Sequence, residues 1–273
     1  MVLEKLYDAL YIKEHKHIAF ILGIAYAICG ISFSVFLFPD DPAPMAIAFI
    51  SLISVVSLKD ILIFEKKILT GKSFVRQHRD ILILLSYMFM GILITFAFFS
   101  IFMPMLTTTQ VFSNQVGFVH TLSAKDIFDF GDIGSIFMNN AKVLLVCILT
   151  AFLFGMSTIF LLIIIWNASV IGVVFGVAAK QSALISNRNP LIYFLLILLA
   201  ALPHIILEIS AYLFGGIVGD RIALIATSKN RWSKTNQLIL TGALFFLLFA
   251  FMILILAASV ETNLTPNFIE LLL

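Results

Sequence analysis

Apolar runs of bilayer length decide what this chain can fold into. Residues 18–38, 81–105, 190–217 and 238–260 are long stretches with almost no charge. A hydrocarbon core of about 30 Å is crossed by about 20 helical residues. Lipid offers the backbone no partners, so each run must close its own hydrogen bonds as a helix. Composition excludes the alternatives. Of the 273 residues, 62% are hydrophobic and 12% charged, against about 45–50% and about 25% in soluble domains. Too little charge remains to cover a water-facing surface, and 28 Phe are incompatible with disorder. The expected fold class is all-α: a polytopic transmembrane helical bundle of about seven spans, within a range of about five to seven, without a soluble domain.

Two stretches leave the span count open. Residues 43–58 are short, and read equally as a short span, a re-entrant segment or an interfacial helix. The run 141–180 would be about 60 Å long as one helix, so the chain must turn back within it. Gly155, Ser157 and Thr158 offer a break that yields a tight hairpin of 138–155 and 158–178. The competing break is Trp166-Asn167. Charge favours seven spans with a cytoplasmic N-terminus, because Lys and Arg concentrate in cytoplasmic loops. That topology puts 13 of the 17 Lys/Arg inside: Lys5, Lys13, Lys16, the cations of 59–80, Arg221, Lys229, Arg231 and Lys234. Lys125, Lys142, Lys180 and Arg188 remain outside.

The parts that follow are a cytoplasmic amphipathic N-terminus (1–17), a membrane segment (18–105) with a basic cytoplasmic loop (59–80), an outer loop (106–137), a membrane core (138–267) and a tail (268–273). Asp126, Asp129 and Asp132 between apolar residues suggest a short interfacial helix within the outer loop. The first apolar run is retained rather than cleaved, since no persuasive cleavage site follows it. Cys29 and Cys147 lie in apolar runs and read as small packing residues. No basic tract with interleaved aromatics points to nucleic acid.

Polar groups inside apolar runs are where function is expected, because each costs about 2.5–3.5 kcal/mol to insert when charged. His204 and Glu208 stand at i,i+4 on one helix face, near the middle of 190–217. Pro203 removes a backbone donor beside them and predicts a kink. Three readings stay open for the pair: an interhelical hydrogen-bond node, a proton or ion path, and a metal site needing a third ligand. Asn167 falls near the middle of 158–178, and a hydrogen bond from it to His204 would satisfy both. Asn139 and Asn140 read as a helix N-cap. Small residues form two ridges at four-residue spacing: Ala168, Gly172 and Gly176, then Ala211, Gly215 and Gly219. Each is either an internal packing seam or an oligomer interface. No nucleophile motif and no metal motif accompanies His204, so neither enzyme activity nor a cofactor is expected.

In order along the chain come Asn139-Asn140, Gly155, Asn167, Gly172, then Pro203-His204-x3-Glu208-x2-Ala211, and finally Ala257-Ala258-Ser-Val-Glu261-x3-Thr265-Pro266. Over about 137–267 this pattern resembles the stage II sporulation protein M family. It departs from the family pattern in having Asn167-Ala168 for Asn-Gly and His204-Ile205 for His-Gly. The upstream part is more similar to the archaeal branch. The resemblance implies a non-enzymatic membrane scaffold that anchors or localises envelope-remodelling partners, with Glu261 near the end of the last span. A small transporter or channel with a proton- or ion-linked site at His204/Glu208 is the alternative. Expected partners are the bilayer, with anionic lipid at 59–80, other membrane or envelope proteins, and a second copy of the chain. The expected location is the cell membrane. The topology is tested by pegylation of single cysteines at Thr70 and Ser113, which label from opposite sides; labelling from one side overturns seven spans.

Overall fold

The computed structural model describes residues 15–67, 74–120, 132–155, 158–187 and 189–272. Among them the regular structure is helical: α1 (Ile18–Leu37), α2 (Pro42–Lys67), α3 (Phe74–Phe102), α4 (Met105–Val111), α5 (Ser113–His120), α6 (Ile133–Phe154), α7 (Thr158–Ser186), α8 (Pro190–Ala226) and α9 (Lys234–Leu272). Six stretches of these helices are long and apolar enough to cross a membrane, and Pro42–Leu58 is a shorter apolar one. The chain is a polytopic all-α membrane protein. It divides into two compact units, the first of residues 1–121 with 164–177, the second of 122–163 with 178–273.

In the first unit, the ambiguous 43–58 stretch becomes most of α2, and α2 runs antiparallel along α1. Gly30 meets Ala46 and Ile50, the Phe38 and Phe49 rings are 6.1 Å apart, and the Tyr26 and Ser57 hydroxyls are hydrogen-bonded. The segment therefore lies beside a span, not flat at an interface. Helix also replaces most of the basic loop expected at 59–80, because α2 continues to Lys67 and α3 opens at Phe74. Lys16 pairs with Asp80, tying the start of α1 to α3. Hydroxyls in this unit are satisfied locally: Ser51, Ser54 and Thr95 each donate to the carbonyl four residues back, the usual solution where water is absent.

The outer loop expected at 106–137 is instead largely structured. Helices α4 and α5 bury Thr108, Val111, Phe112, Gln115 and Val116. Phe112 packs on Phe96 of α3 at 5.4 Å, and Gln115 donates to Ser169 of α7 at 3.1 Å. The continuous polar run Thr107–Gln110 disguises this packing in the sequence. The interfacial helix expected around 126–130 lies outside the described residues.

In the second unit, the long run breaks where glycine permits it. Gly155 closes α6 at φ 72°, a left-handed conformation that costs glycine little, and its amide bonds Ala151 O at 2.8 Å. The alternative break at Trp166-Asn167 does not occur, as α7 passes through it unbroken. The middle of α7, 164–177, belongs to the first unit, while α6 and both ends of α7 belong to the second. Asn189 caps α8 by accepting from Leu191 N, with Pro190 at the first helical position. Helix α8 continues through Pro203 to Ala226 and pairs antiparallel with α9 along most of its length.

Both small-residue ridges are internal seams. A Cβ on Gly172 would overlap the Leu93 carbonyl of α3, and one on Gly176 would meet Ser100 and the Ala97 carbonyl. In the second unit, Gly215 faces Leu144, a Cβ on Gly219 would overlap the Ile148 carbonyl, and Ala211 is fully buried. Small residues let the helix backbones approach, which is how apolar helices gain packing energy when lipid competes equally for their side chains. Gly172→Leu and Gly219→Ala should each cost about 1–3 kcal/mol as overpacked contacts. Gly117→Ala, with open space around its Cβ, is the neutral control. Thermal unfolding in detergent checks the set, and equal midpoints for all three would contradict the seams.

Candidate functional site

Five polar side chains of the second unit, with Glu261 beside them, gather in one cluster built by α6, α8 and α9. At its centre, the Asn140 side chain of α6 uses both ends of its amide. Its Nδ2 donates to Glu208 Oε1 at 2.5 Å, and its Oδ1 accepts from the Tyr212 hydroxyl at 3.0 Å. A single amide orientation serves both partners, since the carbonyl only accepts and the NH2 only donates. Glu261 of α9 is near enough to Glu208 for the two side chains to interact electrostatically. One turn up α8, His204 Nδ1 shares a hydrogen bond with Thr265 Oγ1 at 3.2 Å. The Thr265 hydroxyl also reaches the carbonyls of Ala200 and Val260, each at 3.5 Å.

Several expectations need correcting. Asn139 and Asn140 do not cap a helix, because α6 already starts at Ile133 with Asp132 at the cap position. Asn139 points outward and Asn140 inward, as a 100° step per residue dictates. His204 and Glu208 share a face but not a bond; each reaches to a different neighbouring helix. The His204–Asn167 bond is replaced by His204–Thr265, and Asn167 sits half-buried on α7 in the first unit. Glu261 follows directly on the apolar run 238–260, while the helix α9 itself runs on to Leu272. Pro203 is exposed on α8, outside the cluster.

Depth also changes. On α8 alone, His204 and Glu208 look central. On α6, however, the cluster is level with exposed Asn139 and Lys142, and the outward face below it is apolar through Leu145, Val146 and Leu149. On α9 it lies past the apolar run 238–260, beside exposed Asn263. The cluster thus sits toward one edge of the apolar layer, set there by the register of the helices around α8. Sequence reasoning missed Tyr212 and the role of Thr265. The signal was present: Tyr212 continues the His204–Glu208 spacing by another four residues, and Thr265 follows Glu261 by four.

A helical bundle with several apolar spans and a hydrogen-bonded polar cluster joining three of them defines an integral membrane protein of the polytopic class. The family model for stage II sporulation protein M matches residues 80–266, and the chain belongs to that family. The match takes in most of α3, all of α4 to α8 and most of α9. No curated protein and no solved structure matches the chain. At the two positions where glycine gives way to a larger residue, Ala168 and Ile205 are both buried in packing.

Asn140→Leu should destabilise the protein by about 1–3 kcal/mol, because it strands a buried carboxyl and a phenol together. In a double-mutant cycle, Asn140→Ala and Tyr212→Phe should couple by about 0.5 kcal/mol or more. Strict additivity in detergent unfolding would show that the bond contributes nothing.

Proposed function

We propose that the protein is a non-enzymatic scaffold of the cell membrane, with its N-terminus in the cytoplasm, that anchors or localises other membrane or envelope proteins. The observation that supports this most directly is how the polar cluster spends its hydrogen-bonding capacity. Asn140 is engaged at both ends, Tyr212 donates inward, and His204 is held by Thr265. Groups committed to joining helices stabilise a fixed frame, as buried polar networks do when fully connected. Partners then meet the outer faces: Leu106 of α4, 76% exposed, is one such position, and the basic 59–80 stretch meets anionic lipid. The glycine seams are used within the units, so a second copy of the chain would bind through other surfaces.

A transport reading draws on one observation, the approach of Glu208 and Glu261 from facing helices. Acidic pairs within membrane helices serve proton and cation pathways elsewhere. The two readings separate cleanly. A photoreactive residue at Leu106 should give a discrete adduct with an envelope protein whose localisation is lost on gene deletion. Glu208→Gln, which keeps an oxygen for Asn140, should restore that localisation. Proton flux in proteoliposomes above the protein-free level, abolished by Glu208→Gln, would replace the scaffold with a transporter.

A further inference from the structure

The turn between α8 and α9 has a construction that helix connection alone does not require. Buried Asn236, in the first turn of α9, donates from Nδ2 to Ser228 Oγ at 2.9 Å and to the Asn230 carbonyl at 2.7 Å. Its own amide donates to Ser233 Oγ at 3.2 Å. Gln237 Nε2 donates to the Trp232 carbonyl at 3.2 Å, and Ser233 N to the Asn230 carbonyl at 3.3 Å. The turn is therefore braced from behind by side chains of the following helix. What it displays outward is Trp232, 81% exposed, with exposed Lys229, Arg231 and Lys234 around it. No acidic residue occurs between Arg221 and Glu261, so this positive charge is not neutralised locally along the chain.

Position says what such a surface meets. Leu238, 74% exposed, opens the outward apolar face of α9, which continues through Leu244, Phe245 and Leu248. Lys234 is one helical turn from Leu238, about 6 Å along the axis. The headgroup layer on each side of the hydrocarbon is about 5–8 Å deep. The indole and the three cations thus fall in that layer, where a Trp ring places its apolar body toward the acyl chains and its N–H toward water.

We propose that Lys229–Lys234 is a preformed docking site for anionic phospholipid headgroups, with Trp232 seated at the glycerol level and Lys229, Arg231 and Lys234 holding the lipid phosphates. Holding the turn rigid before the lipid arrives lowers the ordering cost of binding, which is what the Asn236 brace supplies. The site stands apart from the polar cluster and from the scaffold reading.

The test uses the full chain carrying Trp166→Phe, which leaves Trp232 as the one indole of the two in the sequence. It is reconstituted in phosphatidylcholine nanodiscs containing a minor fraction of phosphatidylglycerol. Quenching of Trp232 by spin-labelled phosphatidylglycerol should exceed quenching by equally labelled phosphatidylcholine. The triple variant Lys229→Ala, Arg231→Ala, Lys234→Ala should lower that preference on the order of tenfold. Equal quenching by the two lipids in the parent protein, or none by either, would overturn the proposal. Should Trp166→Phe not fold, native mass spectrometry of the chain with both indoles intact gives the answer independently. Phosphatidylglycerol retained by the parent and lost by the triple variant supports the site, and equal retention rejects it.

Discussion

Within a lipid layer no water is available to take up an unused hydrogen bond, and the arrangement of the second unit follows from that constraint. Glu208 and Tyr212 lie on one face of α8 and need partners that α8 itself does not supply. Asn140 provides both from α6, which fixes the rotation and the height of α6 against α8. Once that register is set, Gly215 and Gly219 fall opposite Leu144 and Ile148, where only a missing side chain allows the backbones together. The polar bond and the glycine seam are thus two expressions of one register. Moving α6 by a single turn would lose both.

The same register explains why the cluster lies toward the edge of the apolar layer. A buried carboxyl is expensive at mid-layer and cheaper where water is within reach. The chain places Glu208 and Glu261 at the level of Asn139, Lys142 and Asn263, all exposed. Edge placement also leaves the middle of α6 and α9 as uninterrupted apolar surface, which is what holds the unit in lipid. The first unit reaches the same end with less polarity. Its Ser51, Ser54 and Thr95 hydroxyls bond back onto their own helices, and its contacts rest on Gly30, Gly172 and Gly176.

Length and apolarity alone determine the class of this protein. The spans at 18–38, 81–105, 190–217 and 238–260, and the break near Gly155, are legible because a bilayer imposes one length scale and glycine one special backbone conformation. The resemblance carried by Pro203-His204-x3-Glu208 and Glu261-x3-Thr265-Pro266 was legible too, and the family match extends it upstream to residue 80. Spacing also showed that His204 and Glu208 share a face.

Tertiary structure alone decided whom those residues touch. A sequence states which face a side chain is on, but the neighbour across that face depends on helix register, and nothing local encodes register. Hence Asn140 emerged as the centre of the cluster and not as a cap, Thr265 took the place expected for Asn167, and α7 divides between the two units. The α4–α5 segment was misread for a related reason. Its polar residues suggest a loop, and only packing on α3 and α7 reveals that Phe112 and Gln115 point inward. Periodicity sets the helices of this protein, and the contacts among them set its site.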